Sequence, residues 1–372
     1  LAQPASVPRV NPSGFAKPQA AATRITMVRQ AIVQGAGGDD DKLRDVALRP
    51  RFLREVIGQK AVVQRLGISI KACKKLNEPL SHILFDGPPG LGKTTFATVL
   101  PNELGTSIQM TSGPALTKPG DLMPFLTNAS NGSIIFIDEI HRLPRWVEEF
   151  LYTAMEDFRA DIVLGDGMNA RTISMPLKHF TLIGATTRSG MLSGPMRDRF
   201  KMHEHLDFYS VEELAEIVTV NAKKLQTKLS ADAASEIARR SRGTPRVANA
   251  RLWWARNFAT SEANGDVTLD IVQQALKMSE VDSEGLDKQD RRYLETLVKV
   301  FDGGPTGVEA LAATMNLPTD TLSDEIEPYL LRGQFIVRSP RGRQATARTY
   351  QHLGLKPPTG QGQGTLFELS DS

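Results

Sequence analysis

Between Ile83 and Phe208, short apolar runs alternate with stretches of helical period. The runs are ILF (83–85), SIIFID (133–138) and FTLIGATT (180–187). Each is too short for a buried helix and is flanked by Gly, Asp or Ser. The pattern predicts strands buried on both faces of a parallel sheet. Strands alternating with helices in this way predict a doubly wound α/β domain. A helical period also covers Lys60 to Leu76. From Ser210 to Lys277 the period is purely helical. SVEELAEIV opens on Ser210 with Glu213 three residues later, a reciprocal helix cap, so a small all-α domain is expected.

A charged connector, SEVDSEGLDKQDRR, leads to a third unit over about 290–354. Its pattern predicts helix, turn, helix and β-hairpin, a winged helix. NLPT is the turn, with Thr319 or Asp320 capping the second helix. QFIVR and QATAR are the expected strands, joined by SPRG. Residues 1–43 are rich in Ala, Pro, Gln and Gly without sustained period, and predict a disordered extension. The expected division is extension (1–43), large α/β domain (44–208), helical domain (209–280), winged helix (281–355) and flexible tail (356–372).

Composition narrows this picture. The chain has 372 residues, 40% of them apolar, enough for two or three ordinary domains. A net charge of +3 means that any nucleic-acid site is a local patch. The single cysteine, Cys73, excludes an internal disulfide framework and lies in a helical pattern as a small core residue. No apolar run approaches the ~20 residues of a membrane span, and no secretory signal pattern opens the chain. The expected location is the cytoplasm, without membrane association.

The chemistry concentrates in GPPGLGKT (87–94), which fits G-x-x-x-x-G-K-[ST] between an apolar run and a helical one. A triphosphate needs backbone N–H groups pointing inward, and glycine removes the side chains that would obstruct them. A helix starting near Lys93 aims its positive end at the phosphates. Lys93 is placed to reach the β- and γ-phosphates of ATP, and the Thr94 hydroxyl to hold Mg2+. About 45 residues on, IIFIDEIHR puts Asp138 and Glu139 at the carboxyl end of a buried strand, the edge where ligands bind. Asp138 suits the Mg2+ shell and Glu139 the polarisation of water. LIGATT ends in Thr186-Thr187, which suits either the attacking water or a simple strand cap.

Three sets of arginines follow. GPMRDRF holds Arg197 and Arg199, either a surface ion pair with Asp198 or a finger for a neighbouring subunit's γ-phosphate. Arg246 falls in the first turn of a helix, against the local dipole, which suggests contact with nucleotide from the helical domain. In the third unit the second helix carries Asp320, Asp324, Glu325 and Glu327 and would repel phosphates. The hairpin carries Arg338, Arg341, Arg343 and Arg348, so the wing is the expected DNA contact, salt-sensitive and sequence-independent.

With these residues in view, the chain resembles the RuvB family, bacterial Holliday-junction branch-migration ATPases of the AAA+ class, from about Leu48 to Leu355. The likeness is carried by LRPRFLREVIGQ, GPPGLGKTT, TSGPALTKPGDL, IIFIDEIHRL, AMEDF, FTLIGATTRSG, MRDRF, RGTPRVAN and SPRGR. It implies an AAA+ P-loop core, a small helical lid and a C-terminal winged helix. It implies that Leu48 and Arg49 flank the adenine, and that Gly90, Gly92, Lys93, Thr94 and Thr95 hold the phosphates. Glu156, Asp157 and Phe158 would lie near nucleotide at the subunit boundary. Arg199 would be the trans-acting finger, Thr187 a catalytic strand-tip residue, and Tyr209 and Arg246 lid-side nucleotide contacts. In the wing, Arg338 and Arg343 match DNA-contacting arginines, with Arg341 between them. Thr319 stands where some relatives have a DNA-binding arginine. A hairpin, DIVLGDGMNARTISMPL, would grip the partner RuvA through Ile173 and Met175. Implied partners are duplex DNA at four-way junctions, RuvA, the RuvC resolvase in the same assembly, and further copies in a hexameric ring. The competing expectation is a clamp-loader-like or regulatory AAA+ switch whose C-terminal unit binds protein.

Overall fold

The strand Phe180–Thr186 is buried at every position, its two threonines included. Around it, the computed structural model describes residues 47–164 and 171–357. The expected disorder of residues 1–43 and most of the tail lie outside the described residues. In chain order the first domain contains α1 (Lys60–Leu76), β1 (Ile83–Asp86), α2 (Lys93–Leu104), β2 (Ile108–Ser112), α3 (Pro119–Thr127), β3 (Ser133–Asp138) and α4 (Arg145–Glu156). A hairpin of β4 (Arg159–Leu164) and β5 (Arg171–Pro176) then precedes β6 (Phe180–Thr186), α5 (Gly194–Arg199) and β7 (Met202–His205). Five strands form a parallel sheet in the order β2-β3-β6-β1-β7.

Alternate residues of each strand serve opposite faces. Ile83, Phe85, Ile134, Phe136, Ile183 and Ala185 join the cluster beneath α1 and α2. Leu84, Ile135, Ile137 and Leu182 join the cluster beneath α3 and α4. Each such side chain, fully buried, contributes about 1.5–3 kcal/mol.

The helical domain comprises α6 (Val211–Lys224), α7 (Ala231–Arg239), α8 (Pro245–Glu262) and α9 (Leu269–Met278). The Ser210–Glu213 capping box is formed. Leu214, Val218, Leu252 and Val272 belong to the same apolar cluster as one face of the sheet. The last unit has its own core, around Tyr293, Leu294, Leu311, Leu330 and Phe335. Its elements are α10 (Lys288–Lys299), α11 (Val308–Met315), a π-helical turn (Thr321–Ile326) running into α12 (Glu327–Arg332), β8 (Ile336–Ser339), β9 (Gly342–Ala345) and α13 (Ala347–His352). Among the described residues no helix is long and apolar enough to cross a membrane.

The structure corrects several expectations. Strands β2 and β7 were not anticipated; as sheet edges they carry polar, half-exposed sequence. The charged connector runs into α10, where Asp290 is fully buried. Neither Thr319 nor Asp320 caps the second helix with its side chain; Asp320 instead pairs with Arg188 of the first domain. The second wing strand ends at Ala345, so Arg348 leaves the hairpin. It sits on α13, paired with Glu284 and stacked over Phe335.

Candidate nucleotide and DNA sites

Gly87, Gly90 and Gly92 all adopt positive φ, and α2 begins at Lys93. A Cβ on Gly87 would lie 2.4 Å from the Leu206 carbonyl oxygen, so only glycine keeps this turn. Lys93 Nζ donates to the carbonyls of Gly87 (2.6 Å) and Pro88 (2.8 Å). Burial lowers its pKa to about 8, against the opposing pull of Asp138, Asp86, Asp324 and Glu139. Thr94 Oγ1 donates to Asp138 Oδ2 at 3.3 Å. A hydroxyl and a carboxylate side by side are the hard oxygen donors that Mg2+ takes, together with phosphate and water.

Asp138 Oδ1 accepts from the Glu139 amide at 2.9 Å. Glu139 itself has φ 47°, a strained value for a non-glycine residue. Its Oε2 accepts from Arg142 Nη1 at 3.0 Å. A Cβ on Gly113 would meet the Glu139 carbonyl oxygen at 2.3 Å, so the turn holding Glu139 depends on that glycine. Thr186 Oγ1 accepts from the Arg188 amide (2.9 Å) and pairs with His141 Nδ1 (3.0 Å). Burial lowers the His141 pKa, favouring neutral imidazole. Thr186 is thus committed to its neighbours.

Two distant segments converge on the loop. Tyr209 donates its hydroxyl to Leu91 O at 3.2 Å, and burial pushes its pKa up to about 12. The Arg246 amide approaches Gly90 O at 3.4 Å. Thr95 lies beside Gly92. Leu48 is buried, with its carbonyl accepting from Lys224 Nζ at 2.8 Å, and Arg49 follows it. The structure therefore brings Tyr209 and Arg246 to the phosphate loop, while Leu48 lies against Lys224 of α6.

It does not bring Arg199, Glu156, Asp157 and Phe158 to the same subunit's phosphate loop. Arg199 Nη2 donates to Glu156 at 2.9 Å, and its guanidinium lies 4.2 Å over the Tyr152 ring. Asp157 pairs with Arg159, and Phe158 packs against His179 and Phe180. On the β4–β5 hairpin, Ile173 is 50% exposed, with Met175 two residues on and half-buried.

In the wing, Arg338 and Arg343 face each other across β8 and β9. Both hold Glu327, which is fully buried and also accepts from Tyr293 Oη at 3.0 Å. Arg338 remains 44% exposed and Arg343 only 17%. Arg341 sits exposed in the turn between the strands. The acidic second helix faces the ATPase domain: Arg188 donates through Nε to Asp324 and through Nη2 to Asp320, both at 2.8 Å. Arg242 pairs with Asp287 and Asp290, and Arg251 Nη2 reaches Gly285 O at 3.0 Å. Sequence reasoning missed Arg142, Arg188, Arg242 and the Glu327 cluster. Only Arg142, three residues after Glu139, had a local signal.

A phosphate loop beside an acidic strand end on a parallel sheet, covered by a helical lid and followed by a winged helix, defines an AAA+ P-loop ATPase. Residues 48–206 match the Holliday junction DNA helicase RuvB P-loop domain, 209–282 the RuvB AAA lid domain, and 283–354 the RuvB C-terminal winged helix domain. The chain is 57% identical over 314 residues to the Holliday junction branch migration complex subunit RuvB of Rhodopirellula baltica, spanning 84% of this chain and 86% of that one. It is similar to the solved Thermotoga maritima RuvB Holliday junction branch migration motor, with 44% identity, TM-score 0.77, and coverage of 84% of this chain and 100% of the other. A point variant of the Thermotoga protein gives 45% identity and TM-score 0.78, over 83% of this chain and 100% of the variant. The chain belongs to the RuvB family.

Proposed function

We propose that this chain is an ATP-driven motor that moves duplex DNA through Holliday junctions in recombination and repair, acting with RuvA. The observation that carries this is the joining of Lys93, Thr94, Asp138 and Glu139 at one sheet edge, in a chain whose three domains all match RuvB. The proposed division is an ATPase core at 44–208, a helical lid at 209–280 and a winged helix at 281–355.

Mg2+ would be held by Thr94 and screened by Asp138, where it would neutralise phosphate charge. Lys93 exchanges its two carbonyl partners for phosphate oxygens. Glu139, freed from Arg142, accepts the proton of the attacking water. Thr187 orients that water, and Arg199 of a neighbouring subunit stabilises the charge that develops. A trans arginine requires an oligomer, and a hexameric ring suits a duplex threaded through it. Ile173 and Met175 offer RuvA an exposed β-hairpin edge, and RuvC joins the same assembly. Arg338, Arg341 and Arg343 supply backbone contacts to DNA. The working compartment is the cytoplasm.

The test is ATP hydrolysis by the purified chain, alone and with four-way-junction DNA and RuvA. Hydrolysis is expected to rise with both, and Glu139→Gln to abolish it while nucleotide binding persists. Absence of hydrolysis under every condition overturns the proposal. Hydrolysis indifferent to DNA, with Arg341→Ala leaving DNA affinity unchanged, would favour the protein-binding switch instead.

A further inference from the structure

The guanidinium of Arg199 is held on three sides by its own subunit. Nη1 donates to Pro195 O at 2.7 Å, Nη2 donates to Glu156 at 2.9 Å, and the Tyr152 ring lies beneath. Nε is buried without a hydrogen-bond partner. Tyr152 and Glu156 stand four residues apart on α4, so one helix face presents ring and carboxylate together. Tyr152 also reaches the other end of α5. Its hydroxyl lies 2.8 Å from Ser193 Oγ, which caps that helix by accepting from the Met196 amide at 3.3 Å. One tyrosine therefore touches both the start of the short helix that carries Arg199 and the guanidinium at its end.

The geometry points to Tyr152 as the positioning residue of the trans-acting arginine, an inference that rests on Arg199 being that finger. A guanidinium seated over an aromatic face is held by the ring's quadrupole while its N–H groups stay free to donate elsewhere. The two hydrogen-bond partners differ from the ring. Glu156 is 57% exposed, so its ion pair is weak and exchanges readily for a neighbour's phosphate. The ring stays under the guanidinium throughout. It supplies orientation without competing for donors, while Glu156 parks the finger when no phosphate faces it. Without the ring, the arginine must be ordered as the transition state forms, and that cost appears in kcat rather than in ATP binding.

The experiment compares Tyr152→Leu with Tyr152→Phe in the full-length protein. The leucine variant is expected to lower kcat by about tenfold or more, with KM for ATP changed by less than about twofold. The phenylalanine variant, keeping the ring, is expected to retain at least about half of the activity. The decisive readout is subunit mixing. Tyr152→Leu subunits retain an intact phosphate loop, and Lys93→Ala subunits retain an intact finger, so a mixed ring contains competent interfaces. Hydrolysis should therefore recover on mixing, and Arg199→Ala mixed with Lys93→Ala is the control. Recovery for Arg199→Ala but none for Tyr152→Leu would place the tyrosine's effect in its own nucleotide site and overturn the inference. Failure of both mixtures would instead overturn the finger reading beneath it. A Phe variant as damaged as Leu would also overturn the role of the ring. If the leucine variant does not fold, Tyr152→Met takes its place in the same mixture.

Discussion

Lys93 is held by two backbone carbonyls, and burial brings its pKa to about 8. Phosphate favours the ammonium form, so the bound pKa lies above the free one. The sign follows: below about pH 8 the lysine is already charged and affinity is level, whereas above it binding must take up a proton. Nucleotide affinity should then fall by up to tenfold per pH unit. Calorimetry in buffers of different ionisation heat should register that proton uptake near pH 8.5. A flat affinity from about pH 7 to 9.5 would show that Lys93 stays charged in the free protein. The lysine's place at the start of α2 was legible because its motif is local. The restraint on Glu139 was less so: φ 47°, the Arg142 partner and the close approach of Gly113 belong to folded backbone.

The wing shows how an element can serve two ends. Glu327 begins α12 with no exposure, and its carboxylate is met by Arg338, Arg343 and the Tyr293 hydroxyl. Removing one arginine leaves the buried carboxylate with a single guanidinium, at a cost of about 1.5–3 kcal/mol in lost charged hydrogen bonds. Arg343→Ala is thus expected to lower the melting temperature of the winged helix, and its effect on DNA binding will combine unfolding with lost contact. Arg341, exposed at the turn, separates the two. Arg341→Ala should leave the melting temperature unchanged, weaken junction binding at low salt, and reduce the slope of log affinity against log salt by about 0.9. A slope unaltered by that change would remove Arg341 from the phosphate contacts. Four arginines in the hairpin region were legible by composition. Their division into inward and outward was not, because Glu327 is 11 and 16 residues away in sequence. The buried strands were plain for the converse reason, each being a short run dominated by apolar residues. Edges β2 and β7 were hidden because IQMTS and MHEH carry half-exposed polar positions that resemble loop.

At the scale of the molecule, lid and sheet share an apolar cluster, while the winged helix has a core of its own. Its links to the rest include polar pairs that fall beside the proposed nucleotide contacts. Arg242, four residues before Arg246, holds Asp287 and the buried Asp290. Arg188, next to Thr187, holds Asp320 and Asp324. The first link is shielded and ties the winged helix to the lid; the second is more exposed and ties it to the sheet. Asp324 is also close enough to raise the pKa of Lys93. A triphosphate brings charge of the same sign toward that carboxylate, so the sheet link is the one that nucleotide weakens. Distances between labels at Lys71→Cys and Arg341→Cys, in a Cys73→Ser background, should therefore lengthen or broaden when ATP is added to the Glu139→Gln protein, which binds without turnover. Arg188→Ala should produce the same distribution without nucleotide. Arg188→Asp combined with Asp324→Arg should restore part of the shorter distance, because the pair is re-formed with its charges exchanged. If Arg188→Ala leaves the distances unchanged, the winged helix is positioned by the lid alone, and the carboxylates of its second helix serve only to keep that face away from DNA.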